Sequence, residues 1–257
     1  HAAKKQKPSS GAPKKQSAEE KERLERNEMM RSAKNATSAA RYQFLEPHRE
    51  VLKRFGASLP KAPSASSSSS SSSSSGFVVD ESIEQPSEIL VPMRDYQLHG
   101  LRWLTAMHTS GVNAILADEM GLGKTLQTIS FLAHLKFNLG VSGPHLVICP
   151  LSVLSSWMSE LKRFCPKLAA LKLHSSDQEE RKRLMASVAS GASEIDVVVT
   201  TYEMAKSPNV HSQLASRSWW RYLIIDEGHI IKNDGSMISQ AVRRFHFSHA
   251  LLLTGTP

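Results

Sequence analysis

The stretch Ala117-Asp118-Glu119-Met120-Gly121-Leu122-Gly123-Lys124-Thr125 constrains this 257-residue chain more than any other. It follows the apolar run Val112-Asn113-Ala114-Ile115-Leu116 and opens an apolar-periodic segment. It therefore reads as a buried strand, a glycine-rich turn and a helix N-terminus, which together make a phosphate cradle. Backbone N–H groups of the turn and the helix dipole point at a β-phosphate, the Lys124 ammonium reaches the γ-phosphate, and the Thr125 hydroxyl ligates magnesium. The general form of such a loop has glycine where this chain has Asp118, so the loop alone does not decide the chemistry.

A second segment complements it. Trp220-Arg221-Tyr222-Leu223-Ile224-Ile225 runs straight into Asp226-Glu227-Gly228-His229. A continuous apolar run marks a strand buried on both faces, and ligands gather at the carboxyl ends of such strands. There Asp226 is suited to hold a hydrated magnesium ion, and Glu227 to orient or deprotonate an attacking water. Alone, an Asp-Glu pair after a strand is as easily a solvated loop; downstream of a Lys-Thr phosphate loop it reads as catalytic.

Charge divides the chain. Residues 1–61 hold 15 Lys and Arg against 7 Asp and Glu, while the remainder holds 17 of each. The basic excess thus sits in an N-terminal arm suited to phosphate backbones or acidic protein surfaces, or serving only as a solubilising tail. Residues 1–18 are rich in Lys, Pro and Ser and are expected to be disordered. Glu19 to Arg31 reads as a solvated helix, and Phe44, Leu45, Val51, Leu52 and Phe55 as a small apolar face interrupted at Pro47. The unbroken serines from Ser66 to Ser75 make 62–87 a linker. Two cysteines, Cys149 and Cys165, give neither metal spacing nor a disulfide framework, and no apolar stretch is long enough to span a membrane.

From about Glu88 the composition is that of a globular domain, 88–257. Strands are predicted near 112–117, 146–150, 170–174, 196–201, 222–226 and 250–254, and helices near 95–108, 124–138, 153–164, 178–189 and 236–244. This alternation predicts an α/β fold, a parallel sheet covered on both faces. Within it, Gln97 offers a paired donor and acceptor matching the N6/N7 edge of adenine, which selects ATP over GTP. Pro150-Leu151-Ser152 and Thr200-Thr201 each follow an apolar strand, and their hydroxyls and free N–H groups suit a nucleic-acid phosphate or ordinary helix capping. Leu253-Thr254-Gly255-Thr256-Pro257 supplies another hydroxyl-rich turn, placed to link the γ-phosphate site to a nucleic-acid track.

Taken together, Val91 to Pro257 resembles the helicase-like ATPases of the SWI/SNF type, the motors of chromatin remodelling. Gln97 fits the adenine-reading motif, Asp118 to Thr125 the family's own version of motif I, Asp226 to His229 motif II, and Leu253 to Pro257 motif III. The family wording of motif I accounts for Asp118. Leu126-Gln127-Thr128-Ile129-Ser130, Gly143-Pro144-His145, Trp157-Met158-Ser159-Glu160 and Trp220-Arg221-Tyr222-Leu223 look most like the imitation-switch (ISWI) group. Gly228 stands where Ala is usual and Ile230 where Arg is usual in that group.

The resemblance implies a RecA-like P-loop NTPase lobe, the first of two, using ATP and Mg2+. It implies a nuclear protein that translocates on double-stranded DNA and restructures nucleosomes alongside remodelling-complex subunits. Asp118 to Thr125 with Gln97 are expected to bind nucleotide, Thr125 and Asp226 the metal, and Lys124, Asp226 and Glu227 to carry catalysis. Pro150, Ser152, Thr200, Thr201, His229, Thr254 and Thr256 are expected to contact nucleic acid or couple it to hydrolysis. The second lobe supplies arginines in this family, so the chain, which looks like a fragment, is expected to bind ATP weakly and hydrolyse it hardly at all alone. An RNA-directed helicase of the DEAD/DEAH kind and a non-catalytic chromatin tether are the alternatives.

Overall fold

A computed structural model describes residues 18–54, 59–60, 78–189, 195–216 and 220–255. The serine run, most of the predicted linker, Thr256 and Pro257 lie outside the described residues. In chain order the elements are α1 (Ala18–Leu45), α2 (Arg49–Arg54), α3 (Asp95–Thr109), β1 (Ala114–Leu116), α4 (Lys124–Ala133), β2 (His145–Cys149), α5 (Leu151–Phe164), β3 (Ala170–Leu173), α6 (Gln178–Ala189), β4 (Val197–Thr201), α7 (Tyr202–Lys206), α8 (Pro208–Ser216), β5 (Trp220–Asp226), α9 (Met237–Arg243) and β6 (Phe247–Leu253). A π-helical turn, His134–Asn138, extends α4 over the residues predicted as one helix.

The six strands form one sheet in the order β1-β6-β5-β2-β4-β3, every pairing parallel. Parallel strands need covering layers on both faces. Along β2, Val147 and Cys149 enter one apolar cluster with Leu101, Ile129, Phe131 and Trp157, while Leu146 and Ile148 enter the other with Met185, Leu214 and Trp220. The predicted three-layer α/β architecture is the one observed.

Register places the chemistry. Leu116 pairs with Leu253, and Leu253 with Asp226. The carboxyl ends of β1, β6 and β5 are thus neighbours, about 4.8 Å apart from strand to strand. The phosphate loop leaves β1 there, the Thr254-Gly255 turn leaves β6, and Asp226-Glu227 ends β5.

Several differences from the sequence reading have local causes. β5 begins at Trp220 and β6 at Phe247, earlier than predicted, because Arg221 and His249 are buried although polar. Tyr202 to Ser216 folds as two short helices broken before Pro208, whose ring cannot continue α7. Helix α1 runs fourteen residues beyond Arg31 as a single element, where short helices were expected in the arm. Its C-terminal part is held by the lobe: Arg41 Nε donates to the Gly111 carbonyl at 2.6 Å and Nη2 to that of Ser248 at 3.2 Å. Of the expected apolar face, Phe44, Leu45 and Leu52 are half-buried, Val51 is 53% exposed, and Phe55 lies outside the described residues.

Candidate nucleotide and metal site

The phosphate loop turns on two left-handed glycines, Gly121 at φ 86° and Gly123 at φ 80°, the second serving as N-cap of α4. A side chain at Gly123 is excluded twice over: the φ is unfavourable, and a Cβ would lie 2.5 Å from Gln97 Nε2. Lys124 Nζ points back into the loop and donates to the carbonyls of Asp118 at 2.8 Å and Glu119 at 3.0 Å. Asp118 holds the loop from the other side, its Oδ2 accepting from Gln127 Nε2 at 2.9 Å across one turn of α4. That bond is what a glycine at 118 would lack.

Gln97 is buried, and its amide already serves the fold. Its Oε1 accepts from the Arg94 N–H at 2.9 Å at the start of α3, and its Nε2 donates to the Leu122 carbonyl at 3.1 Å. The second N–H of Nε2 points at the Tyr96 hydroxyl at 3.5 Å, and Oε1 keeps one further acceptor capacity. Gln97 therefore joins α3 to the phosphate loop, a contact that sequence spacing did not reveal.

At the end of β5, Asp226 is partly buried. Burial pushes its carboxyl above the ordinary aspartate range and the Glu227 charge adds to this; N–H bonds from Trp157 and Glu227 and the Lys124 ammonium oppose the shift. Trp157 Nε1 donates to Oδ2 at 2.8 Å, and the Glu227 N–H donates to Oδ1 at 3.0 Å. Glu227 has φ 55°, the one positive value of a non-glycine residue among the described residues. Its Oε2 lies 3.3 Å from Nδ1 of His229. The Tyr202 hydroxyl, on α7, donates to the Asp226 carbonyl at 2.5 Å.

Glu160, one turn beyond Trp157 on α5, also faces this centre. Burial raises its carboxyl, a hydrogen bond with the Thr125 hydroxyl opposes the rise, and the Asp226 charge adds to it. Trp157, Glu160 and Tyr202 were not singled out as site residues from the sequence. Trp157 and Glu160 were marked only by the family-like segment that contains them, and Tyr202 only by its place after the end of β4.

The donor set fits a magnesium nucleotide. Thr125, in the first turn of α4, and Asp226, at the end of β5, are hard oxygen donors, and Mg2+ is characteristically held by one or two protein oxygens plus phosphates and water. Among the described residues, no group of three or more His, Cys, Asp or Glu side chains is placed to cage a metal.

The turn after β6 completes the site. The Thr254 N–H donates to the Leu116 carbonyl at 3.2 Å, and a Cβ on Gly255 would lie 2.8 Å from Met120 Cγ, so this turn touches the phosphate loop directly. Gly228 packs on Leu252, where an added Cβ would sit at 3.3 Å. Pro150 caps α5, and Ser152 is exposed beside it.

Thr200 and Thr201 were expected to contact nucleic acid or couple it to hydrolysis. Both are fully buried. Thr200 Oγ1 donates to the Leu173 carbonyl at 2.8 Å, and Thr201 Oγ1 accepts from the Met204 N–H at 3.3 Å as the N-cap of α7. Capping, the other reading open to Thr201, is the one observed.

The SNF2-related domain model matches residues 96–257, from the start of α3 through the phosphate loop to the final turn. The chain belongs to the SNF2-related domain family. This SNF2-related domain is 49% identical over 176 residues to the ISWI chromatin-remodeling complex ATPase CHR11 of Arabidopsis thaliana, covering 68% of this chain and 16% of that protein. It is 47% identical over 167 residues to the human SWI/SNF-related matrix-associated actin-dependent regulator of chromatin subfamily A member 1, covering 65% of this chain and 16% of that one. A solved structure, the Sulfolobus solfataricus SWI2/SNF2 ATPase core in complex with dsDNA, superposes with a TM-score of 0.59 at 36% identity, covering 68% of this chain and 34% of that chain. The chain thus spans about one sixth of the length of the curated relatives it matches, 16% in both cases. The ISWI-like, SWI/SNF-type character read from the motifs stands on these likenesses.

Proposed function

We propose that this domain is the ATP-binding lobe of a DNA-dependent chromatin-remodelling ATPase acting in the nucleus on double-stranded DNA and nucleosomes with partner subunits. The observation that carries the reading is the convergence of three strand ends, β1, β6 and β5, on one centre holding Lys124, Thr125, Asp226 and Glu227. In this reading the loop amides from Gly121 to Thr125 cradle the phosphates, and Lys124 leaves the Asp118 and Glu119 carbonyls to reach them. Thr125 and Asp226 would hold Mg2+, which supplies charge neutralisation at the phosphates. Glu227 takes a proton from the attacking water or orients it, with His229 beside it, and Gln97 exchanges its Tyr96 contact for the adenine edge. Arginines from a second lobe complete hydrolysis, a contribution on the order of 10³–10⁵ in rate. Thr254, with Thr256 beyond it, couples the γ-phosphate site to the nucleic-acid track reached by Pro150 and Ser152. Relatives named as ISWI remodelling ATPases and a SWI2/SNF2 core bound to dsDNA support the assignment.

The test is ATP turnover by the full-length protein with duplex DNA, single-stranded RNA or neither. Stimulation by duplex DNA is expected. Stimulation by RNA alone would transfer the domain to the RNA helicases, and no turnover under any condition would leave it a tether.

A further inference from the structure

Two aromatic side chains approach the Asp226-Glu227 pair from different helices. Trp157 comes from α5, which starts at the end of β2, and Tyr202 from α7, which starts at the end of β4. Trp157 bonds the Asp226 carboxylate, whereas Tyr202 bonds the backbone, 2.5 Å to the Asp226 carbonyl and 3.5 Å to the Glu227 carbonyl.

Tyr202 is 5% exposed. Burial and then the charges of Asp226, Cys149 and Glu227 push its phenol well above the ordinary tyrosine range, so it stays a donor throughout the working pH range. The peptide it bonds leads into Glu227, whose left-handed backbone is a sparsely populated conformation for a residue with a Cβ. Such a conformation persists when its surroundings over-determine it. Here the surroundings are the Tyr202 hydroxyl below and the Ile230 N–H, which donates to the Glu227 carbonyl at 3.0 Å. The other end of Tyr202 is fixed by Thr201, whose side chain caps α7.

We propose that Tyr202 is a positioning residue for Glu227, holding the peptide that presents this carboxylate and tying its placement to the end of β4. This rests on the reading of Glu227 as the water-activating group. It also gives Thr201 a function that does not require contact with nucleic acid: it seats the helix that carries the hydroxyl. A displacement of α7 would then move Glu227 without touching the phosphate loop, because none of the bonds of Gln97, Lys124 or Asp118 runs through Tyr202.

The experiment is steady-state ATP hydrolysis by the full-length protein with duplex DNA, for the parent, Tyr202→Phe, Glu227→Gln and the double variant. Misplacing a reacting group by about 1 Å costs on the order of 100-fold in rate. Tyr202→Phe is therefore expected to lower kcat roughly 10- to 100-fold while KM for ATP stays within about twofold and the melting curve stays cooperative. In the Glu227→Gln background the same change is expected to cost nothing more, since residues acting through one another are not additive. Equal losses in both backgrounds, a matching rise in KM, an unchanged kcat, or a Tyr202→Phe protein that does not fold would each overturn the assignment. A parent without turnover would instead overturn the reading of the site, and this inference with it.

Discussion

The indole N–H of Trp157 donates to Oδ2 of Asp226 at 2.8 Å, so a core tryptophan of α5 holds the carboxylate at the end of β5. The same tryptophan is 2% exposed and packs in the first apolar cluster. One residue thus fixes both how α5 lies on the sheet and how the Asp226 carboxylate is turned. Trp157→Phe keeps most of the packing and removes the bond. Hydrogen bonds to charged groups contribute about 1.5–3 kcal/mol.

The sign of the consequence follows from the Asp226 carboxyl. It already lies above the ordinary range, and the Trp157 bond favours its charged form. Without that bond it rises further, so the proton competes with Mg2+ at higher pH. Trp157→Phe is expected to weaken Mg2+-dependent ATP binding about tenfold, the loss of roughly 1.4 kcal/mol, and to move its acid limb toward neutrality. Titration of a fluorescent ATP analogue at several pH values, with and without Mg2+, checks this. An unshifted acid limb would contradict it.

Gly123→Ala tests the turn itself. The left-handed φ of 80° disfavours a side chain, and the new Cβ would meet Gln97 Nε2 at 2.5 Å. A left-handed residue with a Cβ costs about 1–2 kcal/mol before any clash is counted. A lower melting temperature and loss of measurable ATP binding are expected, with the far-UV circular dichroism of the folded state retained.

Gln97→Ala separates two roles. It removes the bond to the Arg94 N–H and the bond to the Leu122 carbonyl. Losing a helix-start bond of this kind costs about 1 kcal/mol, so the melting temperature should fall even without nucleotide. If Gln97 also reads adenine, the preference for ATP over GTP should disappear in competition binding. A retained preference would leave it a purely structural link between α3 and the loop.

The opposite end of the sheet governs acid stability. Burial is the largest cause of the lowered values of His108, at about 4, and of His145 and His249, at about 3, and neighbouring positive charges add to each. Their rings crowd Tyr222, which stacks on His249 at 4.9 Å and accepts or donates a bond with His108 Nδ1 at 3.0 Å. Folded, these groups stay neutral where the unfolded chain, near 6.5, takes up protons. Stability is therefore fully present above pH 6.5 and is lost as pH falls from there toward the folded values, by up to about 1.4 kcal/mol per pH unit for each histidine. Urea unfolding between pH 7.5 and 4.5 checks this; His249→Phe should flatten the slope.

The sequence was most legible where one local pattern meets one physical demand. The apolar runs at β2, β4 and β5 could satisfy their burial only as central strands, and Gly121 and Gly123 only as a left-handed turn. Asp226 was legible because its strand leads into it without a break. Thr200 and Thr201 were not: a hydroxyl after a strand serves a phosphate and a backbone N–H equally well, and only the fold shows both groups buried and engaged. Trp157 and Tyr202 were not read as site residues for a related reason. Both are apolar enough to be read as core, and each in fact packs as core while sending one polar atom to the site. The polar starts of β5 and β6 were hidden because only the folded lobe brings Arg221 to the Ser142 carbonyl and stacks the His249 ring on Tyr222.

The central claim is that Lys124, at the start of α4, and Asp226, at the end of β5, bind one magnesium nucleotide between them. Calorimetric titration of ATP into this chain, with Mg2+ and with EDTA, tests it most directly when run on the parent, Lys124→Ala and Asp226→Asn. The account predicts Mg2+-dependent binding by the parent, loss of binding with and without metal for Lys124→Ala, and loss of only the metal-dependent part for Asp226→Asn. Equal ATP affinity in all three proteins would contradict it.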